Sequence, residues 1–83
     1  MILHAFLGWN FLASNKYCSN KVVPWRYKDE TLNECFAFCE GEGHTVSTYR
    51  QDNTACACCT DPPILKDNTA AAVYTLLGKI RIY

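Results

Sequence analysis

Six cysteines carry the most chemistry in this 83-residue chain: Cys18 alone, Cys35 and Cys39 four apart, then Cys56, Cys58 and Cys59 close together. Two chemistries use such a set. Four thiolates, Cys35 and Cys39 with Cys56 and Cys59, would satisfy tetrahedral zinc. That choice leaves Cys18 and Cys58 without a role and lacks a tight Cys-x-x-Cys knuckle at one end. Disulfides use all six. Cysteines at i and i+4 share one face of a helix, and cysteines at i and i+2 share one face of a strand. A helix bearing Cys35 and Cys39 can therefore be bolted twice to a strand bearing Cys56 and Cys58, while Cys59 points off the opposite face toward Cys18.

Other reactive groups do not assemble into a catalytic set. His4 and His44 are the only histidines, and His44 follows a glycine turn. A nucleophilic cysteine would need a base beside it and would leave an odd thiol. The carboxylate pairs, Asp29 with Glu30 and Glu40 with Glu42, flank a helix as ordinary capping or solvated charges, and Asp52, Asn53 and Asp61 lack the dense spacing of a calcium loop. The expectation is a non-enzyme with no metal and no cofactor. Aromatic residues in polar surroundings are the remaining binding signal. Trp25, Tyr27 and Tyr49, with Arg50 beside the last, are the candidate ligand-binding residues, because Trp, Tyr and Arg are enriched at binding hot spots and flat rings stack on sugar faces. The competing reading is that they complete a small core.

The elements that position these groups can be read locally. Thr31 and Glu34 form a capping box, with acidic Asp29 and Glu30 near the positive end of the helix dipole. The helix runs from Leu32 to Glu40 with Leu32, Cys35, Phe36 and Cys39 on one stripe, and Gly41 and Gly43 end it. Residues 45 to 50 and 54 to 60 read as a hairpin turning at Asp52-Asn53. Its second strand runs parallel to the helix, which aligns Cys35 with Cys56, Cys39 with Cys58, and Cys18 with Cys59. The nested alternative, Cys35 with Cys58 and Cys39 with Cys56, applies if 45 to 59 is one long strand. Apolar alternation through Leu3, Leu7 and Phe11 predicts an N-terminal strand rather than a signal peptide, which would want a basic start and a small-residue cleavage site. Residues 14 to 28 read as loop with a short extended piece at Val22-Val23, 64 to 69 as loop, and 73 to 83 as a final strand with Gly78 as a bulge; a helix end at Ala70-Ala71-Ala72 is the alternative there.

The fold class is α+β: a small disulfide-rich domain, one helix packed on an antiparallel sheet of four to five strands, spanning 1 to 83 as a single unit. A core this small gains only a few kcal/mol, and closing a loop of about twenty residues adds roughly 3 kcal/mol in the chain-entropy model. An even cysteine count in a short chain implies a secreted or extracellular setting. Eight Lys and Arg balance eight Asp and Glu without a basic stripe, which argues against nucleic acid. No apolar run approaches the length of about 20 residues that a spanning helix needs, so no membrane insertion is expected.

The segments TLNECFAFCEGEGHTVSTYRQDNTACACC and AAAVYTLL resemble the helix, hairpin and closing strand of the PAN/apple family and the related WSC domain, over roughly residues 16 to 77. The chain lacks the cysteine that many apple domains carry soon after the helix, and it adds the Cys58-Cys59 pair. The resemblance implies an extracellular module binding a carbohydrate or a protein partner. The helix and C-x-C hairpin are also similar to defensins and scorpion toxins, which are shorter and usually basic. Two other roles fit the same scaffold. One is a secreted signalling protein, toxin or inhibitor; the other is a structural subunit that self-associates through its terminal strands, apolar at Leu3, Leu7, Phe11, Ile80 and Ile82.

Overall fold

The structure, a computed structural model, describes residues 8 to 76. Its elements are β1 (Trp9–Cys18), β2 (Lys21–Arg26), α1 (Leu32–Gly41), β3 (Val46–Arg50), β4 (Ala55–Cys59) and β5 (Leu65–Leu76). The five strands form one sheet in the order β1-β5-β3-β4-β2, with every neighbouring pair antiparallel. The fold is therefore α+β and disulfide-rich, as the cysteine spacing predicts.

The helix starts where the sequence places it. The Thr31 side chain accepts from the Glu34 backbone N–H, and the Glu34 carboxylate accepts from the Thr31 backbone N–H at 2.8 Å. Gly43 ends the turn beyond it at φ +84°, the left-handed region where a Cβ is unfavourable. Cys35 and Cys39 on the buried stripe bond Cys56 and Cys58 respectively, with Cα–Cα separations of 5.6 Å in both bridges. Residues 46 to 59 form a hairpin and not one strand, so the aligned pairing holds and the nested one does not. Cys59 faces away from the helix and bonds Cys18.

The sheet buries both faces. On the helix side Cys35, Cys39, Tyr49, Cys56 and Cys58 form one cluster, flanked by Trp9, Val23, Leu32, Phe38 and Tyr74. On the other side Cys18, Val46, Cys59 and Val73 form a second. What covers that second face follows from the pairing. β1 and β2 are the two edges, yet only Ser19 and Asn20 join them. Three peptide steps span at most about 11 Å, whereas the outer strands of a flat five-stranded sheet stand roughly 19 Å apart. The β1–β5 pair must therefore bend. The register locates the bend: Ser14 pairs with Ala72 but Lys16 pairs with Asp67, so residues 68 to 71 of β5 oppose Asn15 alone, which sits at φ +56°. Beyond the bend the ribbon folds over the helix-free face, where its Cys18 end reaches Cys59. Thr48, Ala55 and Ala57 are completely buried there, and their small side chains permit the close approach.

Three readings of the sequence are corrected. Residues 14 to 18 are strand, where loop was expected; the short extended piece at Val22-Val23 is part of a longer strand over 21 to 26; and β5 begins at Leu65, in the stretch read as loop. Ala70-Ala71-Ala72 is strand and not a helix end. These strands escape apolar alternation because cross-strand links hold them: the Lys16–Asp67 ion pair, the Cys18 bridge, and Asn20, whose side chain bonds Thr60, Pro62 and Ile64. Leu3, Leu7, Gly78, Ile80 and Ile82 lie outside the described residues.

Candidate functional site

A cleft of about 500 Å³ opens at the bend of the β1–β5 ribbon. Its position follows from the irregular pairing just described, because four residues of β5 set against one of β1 leave the two strands unable to close. Ala70 and Ala72, on the same face of β5 as Tyr74, form an apolar floor, and Phe11, Tyr49 and Tyr74 form the walls. Phe11 is 61% exposed and meets the Tyr74 ring edge-on at 5.9 Å. Tyr74 is in turn braced by Phe36 of the helix at 5.1 Å, and Phe36 stacks on Trp9 at 5.0 Å. Such offset and edge-on contacts are favourable for aromatic quadrupoles, so the wall is rigidly backed by the helix.

The rim is polar. Among the described residues, the side chains of Ser14, Asn15, Gln51 and Thr69 make no hydrogen bond within the chain, although each lines the cleft. Asp52 also lines it but is committed: Arg50 Nε and Nη2 donate to its two carboxylate oxygens at 3.0 and 2.6 Å. That bond holds the Asp52 carboxyl below its usual range and Arg50 above its own. The cleft thus offers an apolar floor, aromatic walls and a rim of neutral donors and acceptors.

The four residues singled out from the sequence do not converge. Tyr49 is a cleft wall but only 8% exposed, and its hydroxyl donates to the Glu30 carbonyl at 2.6 Å. Burial, followed by the charges of Asp29, Glu30 and Glu34, pushes its phenol pKa up. Arg50 stands behind the rim, spent on Asp52. Tyr27 is 64% exposed and does not line the cleft. Trp25 belongs to a separate patch, packed with Tyr17 at 6.3 Å between ring centroids. Phe11, Tyr74, Gln51 and Asn15 were not identified from the sequence, because the pairing irregularity that assembles them belongs to two strands jointly and to neither alone.

The zinc arrangement weighed from spacing does not form. The sulfurs of Cys35, Cys39 and Cys56 lie within 4.8 Å of one another, but each is covalently bonded in a bridge, and Cys59 is on the opposite face. No helix among the described residues is long and apolar enough to cross a membrane. No family model, curated protein or solved structure matches this chain.

Proposed function

We propose that this domain is an extracellular recognition module and that the cleft at the ribbon bend binds a carbohydrate. One observation carries the reading: four uncommitted polar side chains surround an apolar floor walled by an exposed aromatic ring. A sugar ring presents an apolar C–H face and a periphery of hydroxyls, which such a wall and rim complement by stacking and hydrogen bonding. The three disulfides are compatible with an oxidising, extracellular setting, and the PAN/apple resemblance points to the same class of role.

A glycan array probed with the oxidised protein tests it. Binding to defined glycans that falls at least tenfold for Phe11→Ala and for Gln51→Ala supports the reading. Both side chains are exposed, so neither substitution removes buried packing. A blank array, or binding indifferent to both substitutions, overturns the cleft as a sugar site and favours a protein partner.

A further inference from the structure

A second surface lies where Tyr17 of β1 meets Lys21 and Trp25 of β2. The Lys21 ammonium sits 4.6 Å from the Tyr17 ring centroid and 5.4 Å from that of Trp25. Two cation–π contacts fix a side chain that would otherwise sample many rotamers. No carboxylate among the described residues answers its charge. All eight Asp and Glu of the chain fall within the described residues, and the ion pairs they form take Lys16, Arg26 and Arg50. Among the described residues, Lys21 and Lys66 have no carboxylate partner. Lys66 faces Tyr17 directly across the β1–β5 ladder, which puts it on the same face as the ring that Lys21 covers.

We propose that this patch binds a hexuronate residue of an acidic polysaccharide, at a site separate from the cleft. The carboxylate of a hexuronate is attached directly to the ring, so the charge and the apolar C–H face are adjacent. The patch is built the same way, with an ammonium fixed against two rings and a second lysine alongside. A preorganised ammonium loses little freedom when it takes an anion. Partial burial already pulls the Lys21 pKa down, and an incoming carboxylate would offset that loss of solvation. A peptide strand is less well suited, because Pro24 removes a backbone donor from β2 and the β2–β4 ladder is irregular on both sides of Val23.

Calorimetric titration of the oxidised full chain with an oligogalacturonate hexamer tests this, with a neutral chitin hexamer, sodium acetate and phosphatidylserine vesicles as parallel probes. The expected result is saturable binding of the hexuronate oligomer that weakens with added salt. It should fall about tenfold in the Lys21→Gln/Lys66→Gln variant, recover in Lys21→Arg/Lys66→Arg, and be unchanged in Phe11→Ala. Loss in Phe11→Ala with retention in the glutamine variant would place the acidic sugar in the cleft and overturn the inference. So would equal binding of acetate, preference for the vesicles, or no binding of the hexamer, none of which bears on a neutral glycan in the cleft.

Discussion

The Tyr49 hydroxyl donates a 2.6 Å hydrogen bond to the backbone carbonyl of Glu30, so a side chain of β3 fastens the segment that leads into the helix. Tyr49 thereby joins two roles: its ring is a wall of the cleft, and its hydroxyl sets where the helix begins relative to the sheet. The bond is made on the helix side of the sheet, next to the Cys35–Cys56 bridge. Replacing Tyr49 by Phe keeps the wall and removes the bond. The expected cost is about 1 kcal/mol, seen as a fall in melting temperature of roughly 4 to 8 °C for a domain of this size, with glycan binding retained.

The same residue makes stability depend on alkaline pH. Tyr49 titrates above its ordinary value in the fold, first because of burial and then because of nearby Asp29, Glu30 and Glu34. The fold thus favours the neutral phenol. Its contribution is complete below the unfolded value of about 10 and is lost as pH rises through the higher folded value. Urea midpoints measured from about pH 9 upward should decline less steeply in Tyr49→Phe. Some decline persists, since burial also raises Tyr74. Parallel curves for the two proteins would mean that Tyr49 ionises without cost.

Ser47 is completely buried, and its hydroxyl has no hydrogen-bond partner among the described residues. It lies between Cys58 and Tyr74 across the two ladders. An unsatisfied buried hydroxyl costs roughly 1 to 3 kcal/mol, while removing one oxygen leaves only a small void. Ser47→Ala should therefore stabilise the domain by about 1 kcal/mol, raising the denaturant midpoint with the slope unchanged. A loss of stability would indicate that the hydroxyl finds a partner, such as an ordered water.

The legible and illegible parts of this chain differ in physical origin. The capped helix, the hairpin and the double bolt between them follow from local rules: Thr31 with Glu34 marks a helix start, and the parity of Cys56, Cys58 and Cys59 assigns each sulfur to a face. The bent ribbon follows no local rule. Asn15-Lys16 and Lys66-Asp67-Asn68 are too polar to look like strands, and this stretch becomes strand because Lys16 pairs with Asp67, Tyr17 pairs with Lys66 and a disulfide anchors the end. The cleft inherits that difficulty, since Asn15, Thr69 and Ala70 become neighbours of Phe11 and Tyr49 only through the four-against-one register. Trp25 and Tyr49 were recognisable as aromatic residues of interest, but whether they faced one another depended on how the sheet curled.

The Cys18–Cys59 bridge tests whether the ribbon is held as a separate layer. It closes the longest loop of the three, 41 residues against 21 and 19, and in the chain-entropy model its removal costs about 4 kcal/mol. It is also the only one of the three that anchors the ribbon; the other two bind the helix to β4. In Cys18→Ala/Cys59→Ala the ribbon should lift from the helix-free face and uncover Val46 and Val73, while Cys35–Cys56 and Cys39–Cys58 keep the helix docked. The expected signature is increased binding of a hydrophobic dye at low denaturant with the far-ultraviolet helix signal retained, followed by loss of that signal at a higher concentration. A single transition in which dye binding and helix signal change together would show that the two faces unfold as one unit and that the ribbon is not an independent layer.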